Sequence, residues 1–379
     1  MNQLNIASRV TLDINLDKLR NNFRAITQTV HPCKVMAVLK ADAYGLGAVN
    51  IASALHNAGV VAFGVAELNE ALELLKYGIP VQLLGNILPC EIATAVANEV
   101  IIPINDLATA QTVNSEARRQ HKIAKCHCLI DSGMGRLGIQ LHEAIAVISS
   151  AAKLPYLKLN GLYSHFPVAY LATDPTNQHQ TDNFSSIIQQ LAIRGITFDQ
   201  IHIANSDAIN NLAQTIITPF NMVRTGINLY GIFDKTGKRS VELEPVIKLK
   251  TSLAAVRKLP AGSYIGYGRT CCLKQDTLVG TIAAGYADGL PLALSNRGDV
   301  IIRNKKCRVI GRVSMDYTTV SLENIPDAVC GDEVICLGDS PDHTISIDDW
   351  AAMKEVNSYE ILCSFGPRVK RNYINKDDK

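Results

Sequence analysis

Lys40 directly follows a short apolar run, Val35-Met36-Ala37-Val38-Leu39, and opens Lys40-Ala41-Asp42-Ala43-Tyr44-Gly45. A lysine at the mouth of an apolar layer loses hydration, so its amine can be held neutral and act as a Schiff-base nucleophile. A snorkelling lysine at a strand end fits the same pattern. Arg136 lies in Asp131-Ser132-Gly133-Met134-Gly135-Arg136-Leu137-Gly138. Its glycines make a turn and let backbone approach a ligand, and a guanidinium fork suits an anionic group. His165 closes another apolar run. His202, Asn205 and Ser206 follow the next, and Arg224 precedes Thr225-Gly226-Ile227. The Ser206 hydroxyl and the amides at Gly226 and Ile227 can form a phosphate cup. Three further polar clusters, Tyr264–Arg269, Gly285–Gly289 and Gly311–Asp316, read as turns from their residues alone.

These residues sit at regular places. Apolar runs of strand length recur at 35–39, 60–65, 81–84, 100–104, 123–130, 157–164, 200–204 and 222–223, with amphipathic stretches between them. A run without polar residues is what a strand covered on both faces requires. A helix-like stretch is expected from Lys40 to Ala58, stopped by Gly59. Leu68, Leu72 and Leu75 form a helical stripe closed by Gly78 and Pro80. About eight β-then-α units in roughly 240 residues predict a (β/α)8 barrel, whose chemistry gathers at the C-terminal ends of its strands. After Pro245 the alternation has period two, as in Ile247-Lys248-Leu249-Lys250, and the rest reads as a mostly β domain. A turn is expected at Asn304-Lys305. A single helix is expected from Ser346, with Trp350 and Met353 turned inward. The expected domains are residues 1–240 and 241–379, meeting directly near Gly237 to Pro245.

The chain has 379 residues, 47% of them hydrophobic and 19% charged, with a net charge of +2. That balance argues against nucleic-acid binding, and no apolar run is long enough for a membrane span. The N-terminus lacks a basic region followed by an apolar one, so no export signal is read and a cytoplasmic location is expected. The ten cysteines lack zinc-finger spacing. Cys126-His127-Cys128 puts two thiols on one strand face and His127 on the other. No metal is expected, and the thiols read as reduced and small.

AVLKADAYGLGA, DSGMGRLGI, HIANSDA, FNMVRTGINLYGI, GYGRT, GYADGL and GRVSMDY occur in this order and together resemble the alanine racemases. The resemblance implies a fold-type III enzyme dependent on pyridoxal 5′-phosphate (PLP). It implies a barrel followed by a β domain, a homodimer with shared active sites, and interconversion of L- and D-alanine for peptidoglycan. It also implies that the first ten or so residues can join the β domain. In it, Lys40 would hold PLP covalently and act as base on the D-enantiomer. Tyr267, supplied by the partner subunit, would be the base facing the L-enantiomer. Arg224 would bond the pyridine nitrogen and keep it unprotonated, which weakens the electron sink and disfavours transamination. His165 would support Arg224 or Tyr267. Tyr44, Ser206, Gly226, Ile227 and Tyr359 would hold the phosphate. Arg136 and the Met315 amide, with Asp316 beside them, would take the substrate carboxylate, and Tyr286 would narrow the entrance.

The chain departs from the family's pattern at three positions. Leu129 stands where many members carry a lysine that can be carbamylated to orient the arginine, Leu46 replaces a histidine, and Ser314 replaces a cysteine. A racemase of broader range, acting on serine for instance, is the alternative within the same fold. A PLP decarboxylase lacks support because its Glu-Pro-Gly-Arg segment is missing. A small PLP carrier would lack the β domain and Tyr267.

Overall fold

The computed structural model describes residues 8–234 and 237–375. The chain divides into two compact units, one of Leu19–Glu244 and one joining the N-terminal stretch through Lys18 to everything from Pro245 onward.

In the first unit each apolar run is a strand: β1 (Lys34–Val38), β2 (Ala62–Val65), β3 (Val81–Leu83), β4 (Ile102–Ile104), β5 (Ala124–Asp131), β6 (Leu157–Tyr163), β7 (Gln200–His202) and β8 (Met222–Thr225). All pair in parallel, in the orders β8-β1-β2-β3 and β4-β5-β6-β7. The two arcs join into one barrel. Gln82 bridges Ile101, and Ile101 N–H donates to Val81 O at 2.9 Å. On the other side Asn221 N–H donates to Ile201 O, and Arg224 N–H to Ala204 O, both at 3.0 Å. A closed sheet leaves no unpaired edge. Helices Leu107–Arg119 and Pro175–Ile193 are started by Asp106 and Asp174, whose side chains accept the backbone N–H of Thr109 and Thr176.

Two expectations change in this unit. The stretch from Lys40 to Ala58 is not one helix. Ala41 to Tyr44 form a left-handed turn, and the right-handed helix is Ala48–Asn57. In the stripe after β2, Leu68 and Leu74 are buried with Ala71, whereas Leu72 and Leu75 are half-buried.

In the second unit, strand Thr11–Asn15 lies between the long strand Ile247–Leu259, antiparallel to it, and Lys370–Ile374, parallel to it. The expectation for the first residues falls partly on 1–7, which lie outside the described residues. Hairpin Asp299–Ile302/Lys305–Arg308 turns at Arg303-Asn304, with φ of 46° and 59°, so Lys305 belongs to the strand and not to the turn. Helix Ile347–Lys354 starts at Ser346, which closes a reciprocal cap with Asp349. Trp350 is fully buried, whereas Met353 is only half so. A second helix, Ser358–Leu362, carries Tyr359 and corrects the expectation of one helix; its cap, Asn357, accepts from Glu360 N–H. Among the described residues no helix is long and apolar enough to cross a membrane.

Candidate active site

The barrel's C-terminal rim carries Lys40, Arg136, His165, Ser206 and Arg224, each just after its strand or at its end. Lys40 is exposed and leads into the left-handed turn, in which Ala41, Asp42, Ala43 and Tyr44 have φ between 53° and 61°. For residues with a Cβ this conformation costs roughly 1–2 kcal/mol each. The turn is held from outside. Glu70 accepts Ala41 N–H at 2.5 Å with one carboxylate oxygen and the N–H groups of Ala66 and Glu67 with the other. The Asp42 carboxylate accepts Ala48 N–H, the start of the next helix, at 2.6 Å.

Arg224 is buried, and its guanidinium is nearly saturated. Nη1 donates to His202 Nδ1 (2.6 Å) and His202 O, and Nη2 donates to Ser164 O (2.7 Å), Ile203 O and His165 Nδ1 (3.2 Å). Nε–H has no partner among the described residues, so the arginine offers one fixed donor beyond its own network. The guanidinium also lies over Tyr163, 5.7 Å from the ring centroid. Burial lowers its pKa to about 10, which leaves it a cation at neutral pH.

The histidines beneath it are neutral. Burial, then the charge of Arg224, brings His127 and His165 to about 3, and pushes His202 well below its usual value. His165 also feels Arg136 and Lys40, so three cations act on one ring. His202 stacks on Tyr163 at 5.1 Å and sits 3.4 Å from His127 Nδ1. A Cβ on Gly161 would fall 2.3 Å from the His127 ring, so β6 must carry glycine for this imidazole to enter the barrel.

The group of Tyr44, Ser206 and Gly226 is packed as tightly. Ser206 Oγ accepts Gly226 N–H at 3.0 Å. A Cβ on Gly226 would sit 2.1 Å from the Tyr44 hydroxyl, and Tyr44 is braced edge-on by Tyr230. Asn205 caps the helix that Ser206 opens. Ile227 is buried and begins the next short helix, where the first N–H groups lack intrahelical acceptors. Arg136 is exposed, and among the described residues no hydrogen bond or ion pair holds its guanidinium; Leu129, on β5, is buried and apolar.

The remaining candidates belong to the second unit. Tyr267 is 74% exposed on a turn with Gly266 at φ 65° and Gly268 at φ 71°, at the tip of hairpin Tyr264–Ile265/Cys271–Cys272. Arg269 covers the Tyr264 ring at 4.0 Å. Asn296 donates to Thr270 Oγ1 and accepts Gly311 N–H, tying this turn to the 311–316 segment. Tyr286 and Met315 are exposed, Asp316 and Tyr359 are half-buried, and the Asp316 carboxylate accepts from Arg368 at 2.7 Å.

Sequence reasoning did not single out Glu70, Tyr163, Asp288 or Arg368, and it weighed His127 only as a metal ligand. The strand alternation that separates His127 from Cys126 and Cys128 was the available signal, because in a barrel the other face is the interior. Among the described residues no group of His, Cys, Asp and Glu is placed to hold a metal. All ten cysteines are free.

The alanine racemase N-terminal domain family matches residues 14–234 and the C-terminal domain family residues 246–373. An alanine racemase of Clostridium novyi is 34% identical over 97% of this chain and 96% of its own. The solved alanine racemase of Clostridium difficile superposes with a TM-score of 0.91 at 31% identity, covering 98% of this chain and 97% of that one. The alanine racemase of Bartonella henselae, solved with covalently bound pyridoxal phosphate, has a TM-score of 0.87 at 29% identity, covering 97% and 100%.

Proposed function

This chain belongs to the alanine racemase family, and from that premise we propose that it interconverts L- and D-alanine with PLP. The observation that carries the reading is the seating of Arg224. Two neutral histidines, His202 and His165, with Tyr163 and carbonyl oxygens fix a guanidinium that keeps Nε–H for a ligand. The residues fit PLP at both its ends. Arg224 Nε–H suits the pyridine nitrogen as a hydrogen-bond acceptor, and the tight group of Tyr44, Ser206, Gly226 and Ile227 suits the phosphate, with Tyr359 as a further contact.

When bound, PLP supplies an electron sink that makes the α-proton of an attached amino acid removable. The chain's own groups do the rest. Lys40 carries the cofactor and moves the proton on one face, that of D-alanine. Tyr267 of the partner subunit moves it on the other, that of L-alanine. Racemisation needs two proton-handling groups on opposite sides of one carbon, each close enough to exchange in turn. Arg136 and the Met315 amide take the carboxylate and fix which bond faces the two bases. Asp316 stands beside them, and Tyr286 limits what enters. The cations Lys40, Arg136 and Arg224 suit an anionic cofactor and substrate, and neutral His165 adds no charge among them. The unit is a homodimer, because a barrel and a β domain from different chains are needed for each centre. A cytoplasmic enzyme making D-alanine for peptidoglycan is the physiological role this implies.

The test is a coupled D/L-alanine assay on purified protein with and without PLP, with serine alongside. Racemisation of alanine and a visible absorption band from lysine-bound cofactor are expected, and neither should survive in Lys40→Ala. A protein that neither racemises alanine nor takes up PLP overturns the reading.

A further inference from the structure

Arg368 joins parts of the second unit that lie far apart in the chain. Its Nε and Nη2 grip both oxygens of Asp288 at 2.7 and 2.9 Å, Nη1 donates to Asp316 at 2.7 Å, and Nη2 also reaches Met315 O at 3.3 Å. Asp288 is almost wholly buried and closes the Tyr286 turn by accepting Gly285 N–H at 2.9 Å. The same turn meets the next segment backbone to backbone: Tyr286 N–H donates to Ser314 O at 2.9 Å and Ala287 N–H to Met315 O at 3.1 Å. A Cβ on Gly285 would fall 2.2 Å from Ser314 O and 2.4 Å from Met315 O, so the two segments are at their closest approach.

We infer that Arg368 is a positioning residue for the substrate carboxylate site: it fixes the Met315 backbone and the Tyr286 turn as one rigid piece. The inference rests on the proposed alanine reaction. The geometry explains why an arginine is used. One planar fork meets the buried Asp288 carboxylate with two parallel bonds, and its remaining nitrogen reaches Asp316 in the same plane, which an ammonium cannot do. Asp316 then serves as a strut, its charge spent on Arg368, and does not repel an incoming carboxylate. Among the described residues no side chain orients Arg136, so the rigidity of the Met315 side carries more of the carboxylate recognition in this chain.

The test compares Arg368→Lys and Arg368→Gln with the parent holoenzyme. It measures kcat and KM for alanine, PLP content by absorbance, Tm, and the Kd of propionate, which is alanine without its amino group, by calorimetry. The expectation for Arg368→Lys is a KM and a propionate Kd raised about tenfold, the loss of one charge-assisted contact, with PLP content retained and kcat changed much less. Arg368→Gln should follow in the same direction and further. Asp316→Asn, which leaves the buried Asp288 pair intact, should raise KM and the propionate Kd by a smaller factor if the Arg368 variants fail to fold. Unchanged KM and propionate Kd in all folded variants overturn the inference. So does a loss of kcat, PLP and Tm together without a specific rise in KM. Failure of the alanine reading itself is seen separately, as a parent protein that does not racemise alanine.

Discussion

Nη1 of Arg224 and Nδ1 of His202 lie 2.6 Å apart, and because a guanidinium can only donate, His202 is the acceptor. The ring proton is therefore on Nε2, which faces His127 Nδ1 at 3.4 Å, so His127 in turn carries its proton on Nε2. The arginine sets the tautomer of both rings, and both must stay neutral for the chain of donors to run inward.

That requirement makes stability depend on pH in a stated direction. Unfolded, each histidine titrates near 6.5. Folded, His127 and His165 titrate at about 3 and His202 also lies well below its usual value, each through burial first and Arg224 second. The unfolded chain binds protons first as pH falls, so their stabilisation is complete above about 6.5 and is lost toward the folded values. In that window each acid step therefore lowers the stability of the fold. Urea unfolding at pH 7.5, 6 and 5 should show ΔG falling with acid, and His127→Gln should flatten the slope. A slope unchanged by His127→Gln would mean that its imidazole does not titrate on unfolding.

Tyr267 gives a prediction that ordinary rates cannot resolve. L- and D-alanine are equally stable, so kcat/KM must be equal in the two directions for any variant. Exchange of the α-proton with D2O separates the faces instead. Tyr267→Ala should bind PLP normally and exchange the proton of D-alanine through Lys40, while exchange from L-alanine falls by roughly 10²–10⁴-fold, the usual worth of a positioned base. The side chain is 74% exposed within its own chain. Equal exchange from both enantiomers would remove Tyr267 from the L face.

How much of this was legible in the sequence follows from range. The eight barrel strands read correctly because a strand covered on both faces announces itself as an apolar run, and Arg224 and Ser206 could be placed from the ends of those runs. The left-handed turn after Lys40 could not, because its anchor, Glu70, is 29 residues away. Local pattern there favours the right-handed helix that only begins at Ala48. The inward direction of His127 was legible in the alternation with Cys126 and Cys128, but the room for its ring was not, because that room is left by Gly161 on the neighbouring strand. Arg368 sits 80 residues from Asp288 and 52 from Asp316, so nothing in its neighbours along the chain marks it.

Gly226 and Tyr44 should behave as a coupled pair. Gly226→Ala puts a methyl 2.1 Å from the Tyr44 hydroxyl and 3.0 Å from the ring carbon bearing it. Overpacking of this kind costs about 1–3 kcal/mol, and the displaced hydroxyl should weaken PLP binding. Tyr44→Phe added to Gly226→Ala removes the closest contact and should recover stability in urea without recovering PLP affinity by titration. Full recovery of both would show that the hydroxyl packs against Gly226 without serving the phosphate.

Ala41 offers a substitution whose sign is reversed from the usual one. In a right-handed helix Ala→Gly costs about 1 kcal/mol. Ala41 has φ 53° and ψ 50° and is exposed, so it bears the left-handed penalty with no packing to lose. Glycine relieves about 1–2 kcal/mol of that strain and gives back about 0.5–1 through the freer unfolded chain, so Ala41→Gly should raise the urea midpoint slightly or leave it unchanged. Ala43→Gly has the same backbone relief but removes a fully buried methyl, worth about 0.8 kcal/mol, and should fall below Ala41→Gly. Both retain the Ala41 amide on Glu70 and the Lys40 side chain. Loss of about 1 kcal/mol in Ala41→Gly would place that residue in the right-handed region and remove the left-handed turn from the account of how Lys40 is presented.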